Sequence, residues 1–261
     1  MSKNYIFCYS GSGNCLDIAK TIAGELGDTD IIMMRRRPEI TDVRDAETVG
    51  FVFPCYAGGL PGDVEKYVRQ LSVSFSTYTY GVVSYAGYKG IGLSRINKAV
   101  PLNYWAGISH QCSCIWLFPH GLMLPLLSAE KAQERSEMLA KKIAADIKNE
   151  VKILDDVPAP LFNKIESKFW PELSARKAED LCVNIQKCIS CGQCEKICPK
   201  DNIKITGKFP AFGNNCIGCL SCLQYCPKQA IDIGKVSMKR KRYHNPNVSA
   251  EELMKGVIHI D

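Results

Sequence analysis

Eight of the fourteen cysteines lie between Cys188 and Cys226, in two copies of one spacing, C-x2-C-x2-C-x3-C-P. One copy is Cys188, Cys191, Cys194 and Cys198 with Pro199, and the other is Cys216, Cys219, Cys222 and Cys226 with Pro227. Aligning 188–205 on 216–233 matches nine of eighteen positions, among them Ile189/Ile217, Lys200/Lys228, Ile203/Ile231 and Ile205/Ile233. Self-similarity at a fixed offset marks a duplicated structural unit.

This spacing is that of the bacterial ferredoxin run for [4Fe-4S] clusters, in which the fourth cysteine of each run ligates the other cluster. Three thiolates on a tight loop each face one iron corner, and the fourth arrives from a chain passing opposite. On that reading cluster one takes Cys188, Cys191, Cys194 and Cys226, and cluster two takes Cys198, Cys216, Cys219 and Cys222. Exchanging fourth ligands ties the halves together, so metal binding and folding become one event. The interleaved isoleucines are expected to shield the inorganic core, whose potential depends on solvent exposure. The alternatives are a disulfide scaffold and zinc. Met1-Ser2-Lys3-Asn4 runs directly into the strand-like Tyr5–Tyr9 without a secretory pattern, which argues against lasting disulfides. Zinc favours separated C-x2-C pairs or Cys/His mixtures over two triplets each followed by C-P.

Such a unit accounts for a minor part of 261 residues, so a second domain is expected. The most apolar run, 115–127, is interrupted by Pro119, His120, Gly121 and Pro125 and is too short to span a bilayer. The expectation is a cytoplasmic protein in a reducing cell, with no membrane insertion. The formal charge of +6 describes the chain without cofactors. Two clusters with their thiolates bring roughly −4, so the charge is no argument for nucleic acid.

Residues 4–9 read as a buried strand, and Asn14 to Leu26 carries a helical apolar face. Between them, Ser10-Gly11-Ser12-Gly13-Asn14-Cys15 places hydroxyls and free backbone N–H groups at a helix start, an anion cradle. The dinucleotide fingerprint is broken because Leu16 stands where its third glycine belongs, and no Gly-Lys-Ser/Thr follows for a Walker loop. Strands two, three and four are expected at Thr29–Met34, Val49–Phe53 and Tyr78–Ser84. Strand three ends in Pro54-Cys55-Tyr56-Ala57-Gly58-Gly59-Leu60-Pro61, with a helix expected to start near Pro61. Strand four ends in Ser84-Tyr85-Ala86-Gly87-Tyr88-Lys89-Gly90, ahead of a helical stretch from Leu93 to Val100. In a doubly wound sheet ligands bind outside the carboxyl ends of the strands, so these loops are candidate walls of a ring pocket. Tyr56 is either the aromatic against that ring or a half-buried tyrosine covering the sheet end. A fifth strand is expected over Gly107–Phe118, with Cys112 and Cys114 on one face and, like Cys8, buried in the core. The loop from Pro119 to Pro125 would roof the pocket, and Ser128 would cap a closing amphipathic helix to Asn149.

Domain limits follow: a sheet domain at 1–150, an ordered connector at 151–181, the cysteine domain at 182–235 and a basic tail at 236–261. The connector carries Phe162 to Trp170 as a short helix too apolar for a solvated linker, and Cys182 is a free thiol outside the motif. Lys235 and Lys239-Arg240-Lys241-Arg242 form a solvated strip that could also steer an acidic carrier.

The loop Ser10–Cys15 resembles the flavodoxin phosphate loop S/T-x-S/T-G-N-S/T, with Cys15 in place of the final hydroxyl residue. Together with Pro54–Pro61, both cysteine runs and the closing Arg242-Tyr243-His244-Asn245-Pro246, the chain resembles the flavodoxin–ferredoxin fusion proteins of anaerobic bacteria, the ferrodoxin type. The resemblance implies a flavodoxin-like doubly wound parallel five-stranded sheet of order 2-1-3-4-5, followed by an α+β two-cluster ferredoxin domain. It implies FMN held by residues 10–15, 54–59 and 84–87, and electron transport as the activity. Redox carriers of ferredoxin or flavodoxin type are the expected partners. Two other functions fit the residues. One is an FMN-dependent oxidoreductase acting on a quinone or nicotinamide, with His120 in the roof; the other is a flavin-free scaffold that docks the ferredoxin domain on a partner.

Overall fold

The computed structural model describes residues 4–36, 39–62, 64–113, 123–124, 128–238 and 240–261. The N-terminal half alternates apolar strands with helices. β1 (Asn4–Cys8) leads through the Ser/Gly loop into α1 (Asn14–Leu26), which Gly27 terminates at φ 72°, and β2 (Thr29–Met33) follows. β3 (Thr48–Pro54), α2 (Val64–Val68), β4 (Tyr78–Tyr85), α3 (Gly92–Ala99) and β5 (Tyr104–Ser109) continue the alternation. β3 and β4 are buried along almost their whole length because both faces are covered, as in parallel sheets. Helix α2 starts later than expected from Pro61, whose carbonyl instead accepts the Val64 N–H at 3.1 Å.

The parallel strands lie in the expected order 2-1-3-4-5, and the sheet has a sixth member. β5 is shorter than expected at its far end. It pairs with β4 from Tyr80↔Tyr104 to Tyr85↔Ser109, where β4 ends and offers no further partner. Beyond it β6 (Cys112–Ser113) pairs instead with β7 (Met123–Leu124). Cys112 is therefore exposed, contrary to expectation, while Cys8 is buried. Cys114 and the roof residues Pro119 to Leu122, His120 included, lie outside the described residues, as does Pro125.

α4 (Ala129–Lys148) begins at Ser128, whose hydroxyl accepts the Lys131 N–H, and packs on α1 and β5. α5 (Leu161–Ala178) is longer than the connector helix expected and contains Pro171. Its polarity is also reversed. Asn163 and Ser167 are buried, whereas Leu161, Phe162, Ile165 and Phe169 are exposed. The inward face lies on the Gly58–Gly59 backbone, where a methyl on Gly59 would stand 2.8 Å from Ser167 Cβ, so only small or polar groups fit there.

β8 (Leu181–Val183), α6 (Gln193–Ile197), β9 (Ile203–Thr206), β10 (Phe209–Phe212), α7 (Ser221–Gln224) and β11 (Ile231–Ile233) form the cysteine-bearing part. β8 pairs with β11 and β9 with β10, all antiparallel. After α8 (Gly234–Ser237) and α9 (Ala250–Met254), β12 (Val257–Ile260) returns and joins the first sheet antiparallel to β2. It covers a strand edge that would otherwise be left unpaired.

The two parts share a core. Ile197, Tyr225, Val248 and Leu253 pack in one apolar cluster with Leu16, Ile18 and Ile22 of α1, and Ile217 packs in the cluster on the other side of the sheet, with Phe53 and Leu60. The cysteine-bearing part thus sits on the carboxyl ends of the parallel strands, where ligands of such sheets bind.

Candidate iron–sulfur and phosphate-loop sites

The duplication extends to backbone geometry. Positive φ recurs at matched positions of the two runs, in Ser190 (57°) and Gly218 (70°), Gly192 (72°) and Leu220 (59°), and Asp201 (50°) and Gln229 (47°). Left-handed conformations cost a non-glycine residue free energy, so their repetition reflects a loop path held by the surrounding structure. In each copy the amide four residues after the last cysteine donates to its sulfur, Asn202 N to Cys198 Sγ at 3.3 Å and Ala230 N to Cys226 Sγ at 3.2 Å. Gly218 N donates to Cys216 Sγ at 3.4 Å. Such amides favour thiolate over thiol and help tune a metal centre.

These loops leave two cavities. One is lined by Cys188, Cys191, Cys194 and Cys226 with Ile189, Ile205 and Ile231, and the other by Cys198, Cys216, Cys219 and Cys222 with Leu181, Ile203 and Ile217. Each thus draws three cysteines from one run and the fourth from the other. Among the described residues no three His, Cys, Asp or Glu side chains gather around a single ion position. Burial pushes the Cys194 and Cys216 thiols up to about 11 and raises Cys198 and Cys222 as well. Thiolates at these positions need a cation, and iron would supply it while releasing the protons.

The candidate phosphate loop is buried beneath this part of the chain. Gly13 N donates to Ser10 Oγ at 3.1 Å, and Asn14 Nδ2 to the Gln111 carbonyl at 2.8 Å. Ser221 Oγ donates to the Gly11 carbonyl at 2.8 Å, and the Tyr225 hydroxyl to that of Ser12 at 3.2 Å. From the C-terminal segment, Asn245 N donates to the Ser12 carbonyl at 2.7 Å and the Tyr243 hydroxyl to Asn14 Oδ1 at 2.8 Å. Arg35 links Ser10 to Ile197, one guanidinium nitrogen on each carbonyl. A methyl on Gly11 would lie 2.8 Å from the Cys219 carbonyl and closer still to the Tyr56 hydroxyl. The second cysteine cavity therefore adjoins the phosphate loop. Cys15 is buried beside Ser84, with its thiol raised by burial.

An FMN phosphate fits the chemistry of this loop: Ser10 and Ser12 carry hydroxyls and α1 begins directly after it at Asn14, with the Ser10 hydroxyl here accepting the Gly13 N–H. The ring walls are closed on each other. Cys55 N donates to the Ser84 carbonyl at 2.8 Å, and further out Ile91 N donates to that of Gly58 at 2.7 Å. Pro54 ends β3, and Tyr56 through Gly59 makes a tight turn with Ala57 at φ 41° and Gly58 at φ 74°. Tyr56 meets Tyr9 edge to face at 6.3 Å, turned toward the phosphate loop. On the facing wall Tyr85 packs against the sheet, the Ala86 carbonyl accepts from Ser109, and Gly87 is exposed. Tyr88 bonds Glu166 and the Gly58–Gly59 backbone packs against Asn163, Glu166 and Ser167, so α5 bridges both walls, and Arg95 of α3 donates to Ser167 at 3.1 Å. Parting the walls means breaking these contacts.

The basic strip is solvated only in part: Lys235 and Lys241 are exposed, as expected, but the arginines are not. Lys239 lies outside the described residues, and the Arg240 guanidinium is partly buried. Arg242 is 7% exposed and pairs at 2.5 Å with Asp232, itself 8% exposed. Arg35, Tyr225, Tyr243, Asn245 and Glu166 were not legible as site residues. The run Arg242–Pro246 was visible as a motif, but its contact with a loop 230 residues away was not.

Residues 179–204 match a 4Fe-4S binding domain family, and 216–230 match a second 4Fe-4S binding domain family. The C-terminal part is a 4Fe-4S ferredoxin-type region. No curated protein gives a significant match to the chain. Among solved structures it is similar to the rubredoxin oxygen:oxidoreductase of the anaerobe Desulfovibrio gigas, at 15% identity and TM-score 0.38, over 57% of this chain and 37% of that one. A flavodoxin from the domain Archaea matches at 15% identity and TM-score 0.36, over 56% of this chain and 99% of its own. The NAD(P)H:quinone oxidoreductase of Methanothermobacter marburgensis matches at 8% and 0.37, over 56% and 100%. The flavodoxin-type assignment of the sheet domain rests on the strand order described above. No helix among the described residues is long and apolar enough to cross a membrane.

Proposed function

We propose that this iron–sulfur redox protein is an electron-transfer relay between low-potential carriers and FMN. Cys188, Cys191, Cys194 and Cys226 hold one [4Fe-4S] cluster, Cys198, Cys216, Cys219 and Cys222 hold the other, and residues 10–15, 54–59 and 84–87 seat the flavin. The observation that carries this reading is the pair of four-cysteine cavities, the second of which adjoins the phosphate loop through Cys219 and Gly11. Bound clusters exchange single electrons, and a bound flavin accepts two, singly or as a pair. The chain's part is placement. Amides at Gly218, Asn202 and Ala230 favour the thiolates, and apolar side chains such as Ile203 and Ile231 exclude water. Arg35, Ser221 and Tyr225 hold the phosphate loop against the cysteine-bearing part.

Anaerobic reconstitution tests the reading directly. About eight irons per chain are expected from two [4Fe-4S] clusters, together with flavin bands that survive removal of the iron. A second reading, a flavin-free scaffold for the ferredoxin, is favoured by the closed contact between Ile91 and Gly58. Eight irons with no flavin retained, in wild type or in an E166A variant whose wall contact is loosened, would select it.

A further inference from the structure

The two cavities differ in their surroundings. Cys198 is buried, and the cavity that contains it is backed by the sheet domain through Ile217 and Cys219. The cavity of Cys188, Cys191, Cys194 and Cys226 faces away, and Cys191 is exposed. At its mouth Ile189 is 57% exposed, with Ile185 at 60% nearby in the chain leading into it. Lys228 lines the same cavity, Lys187 precedes Cys188, and the Lys208 carbonyl accepts from Ser190 Oγ at 2.5 Å, which brings the hairpin turn to the rim. All three lysines are exposed, and none has an acidic partner among the described residues. Ion pairs in this part of the chain include Lys204 with Glu195 and the buried Arg242 with Asp232.

We propose that Ile185 and Ile189, rimmed by Lys187, Lys208 and Lys228, form the docking face for an acidic one-electron carrier protein. An apolar centre within a ring of one charge suits a transient partner, since rim charges steer encounter and set orientation while the apolar contact excludes water. The proposal rests on the cluster reading above and adds the entry point: electrons arrive at the cluster of Cys188, Cys191, Cys194 and Cys226, and the other cluster faces the sheet domain. At this face the reduced carrier gives up one electron and the cluster gains it, with no proton or bond involved. Arg242, buried and paired with Asp232, adds nothing to that steering charge.

The test is binding without electron transfer, measured by titration calorimetry of the holoprotein with an oxidised, strongly acidic flavodoxin at low and high ionic strength. Iron content and visible spectrum are recorded first, so failure of the cluster reading is seen separately. The K187E/K208E/K228E variant is expected to bind at least about tenfold more weakly at low salt and to lose most of its salt dependence. Reversing three exposed lysines of α4, K131E/K142E/K148E, is expected to leave affinity unchanged. If the triple rim variant loses iron, K208A/K228A makes the same comparison. Wild-type affinity in a rim variant with full iron, or an equal loss in the α4 variant, overturns the proposal.

Discussion

Replacing Arg242 by methionine removes a buried cation while keeping most of the side-chain volume. In the native chain Arg242 donates to Asp232 Oδ1 at 2.5 Å, to the Ile231 carbonyl at 2.9 Å and to the Ser237 carbonyl at 3.2 Å. Asp232 also accepts the Ser237 hydroxyl at 2.6 Å. With the pair 7% and 8% exposed, the thioether would leave the Asp232 carboxylate buried with one neutral donor. Breaking a buried pair from one side costs about 3–5 kcal/mol, whereas removing both charges is close to neutral. R242M is therefore expected to destabilise by about 3–5 kcal/mol and R242M/D232L by much less. Anaerobic urea unfolding, followed by tryptophan fluorescence and cluster absorbance on iron-replete protein, measures both. A loss of about 1 kcal/mol or less in R242M, the size found for exposed pairs, would contradict this account. It would return Arg242 to the solvated strip first expected of it.

Cys226→Ser is expected to lower iron from about eight towards about four per chain. If Cys226 serves the first run's cluster, adding C194S changes little and adding C219S removes the remainder; the opposite ranking by iron analysis rejects the exchanged assignment. Gly13→Ala places a methyl 2.6 Å from the Tyr225 hydroxyl and 2.9 Å from Asn245 Cβ, at φ 98°. Left-handed strain of about 1–2 kcal/mol and overpacking of about 1–3 kcal/mol should loosen the seam, read as faster amide exchange at Tyr225 and Asn245. Gly24→Ala, with nothing within 4 Å, should instead stabilise α1 by about 0.5–1 kcal/mol in thermal unfolding. The His259 pKa is raised, chiefly by its hydrogen bond to Asp30. Protonated His259 thus holds β12 to β2 fully below the unfolded value of about 6.5, and the contribution fades as pH rises through the higher folded value. Protection of the β12 amides should fall over that interval in wild type and stay flat in H259Q; a His259 NMR titration at or below the ordinary value sinks the idea.

Much of the fold was legible because its signals are local. Buried parallel strands read as continuous apolar runs, and the helix from Ser128 announced its own cap. The end of β5 was missed because a strand stops where its neighbour stops, and Tyr85 is far from Ser109 in sequence. The inverted face of α5 was missed for a related reason. Apolar residues imply burial only if the facing surface accepts bulk, and here that surface is the Gly58–Gly59 backbone.

Local patterns were enough to establish the two cysteine runs, their duplication and the alternation of strands with helices, since spacing and periodicity act over a few residues; the order of the parallel strands came from the resemblance to flavodoxins, and the folded chain has it. It took the folded chain to place Cys219 against Gly11, to close Tyr243 and Asn245 over the phosphate loop, and to return the last strand to the first sheet. Those contacts join residues some 200 positions apart. What selects them is the shared burial of Leu16, Tyr225 and Val248 in one core, a pairing that no local pattern encodes.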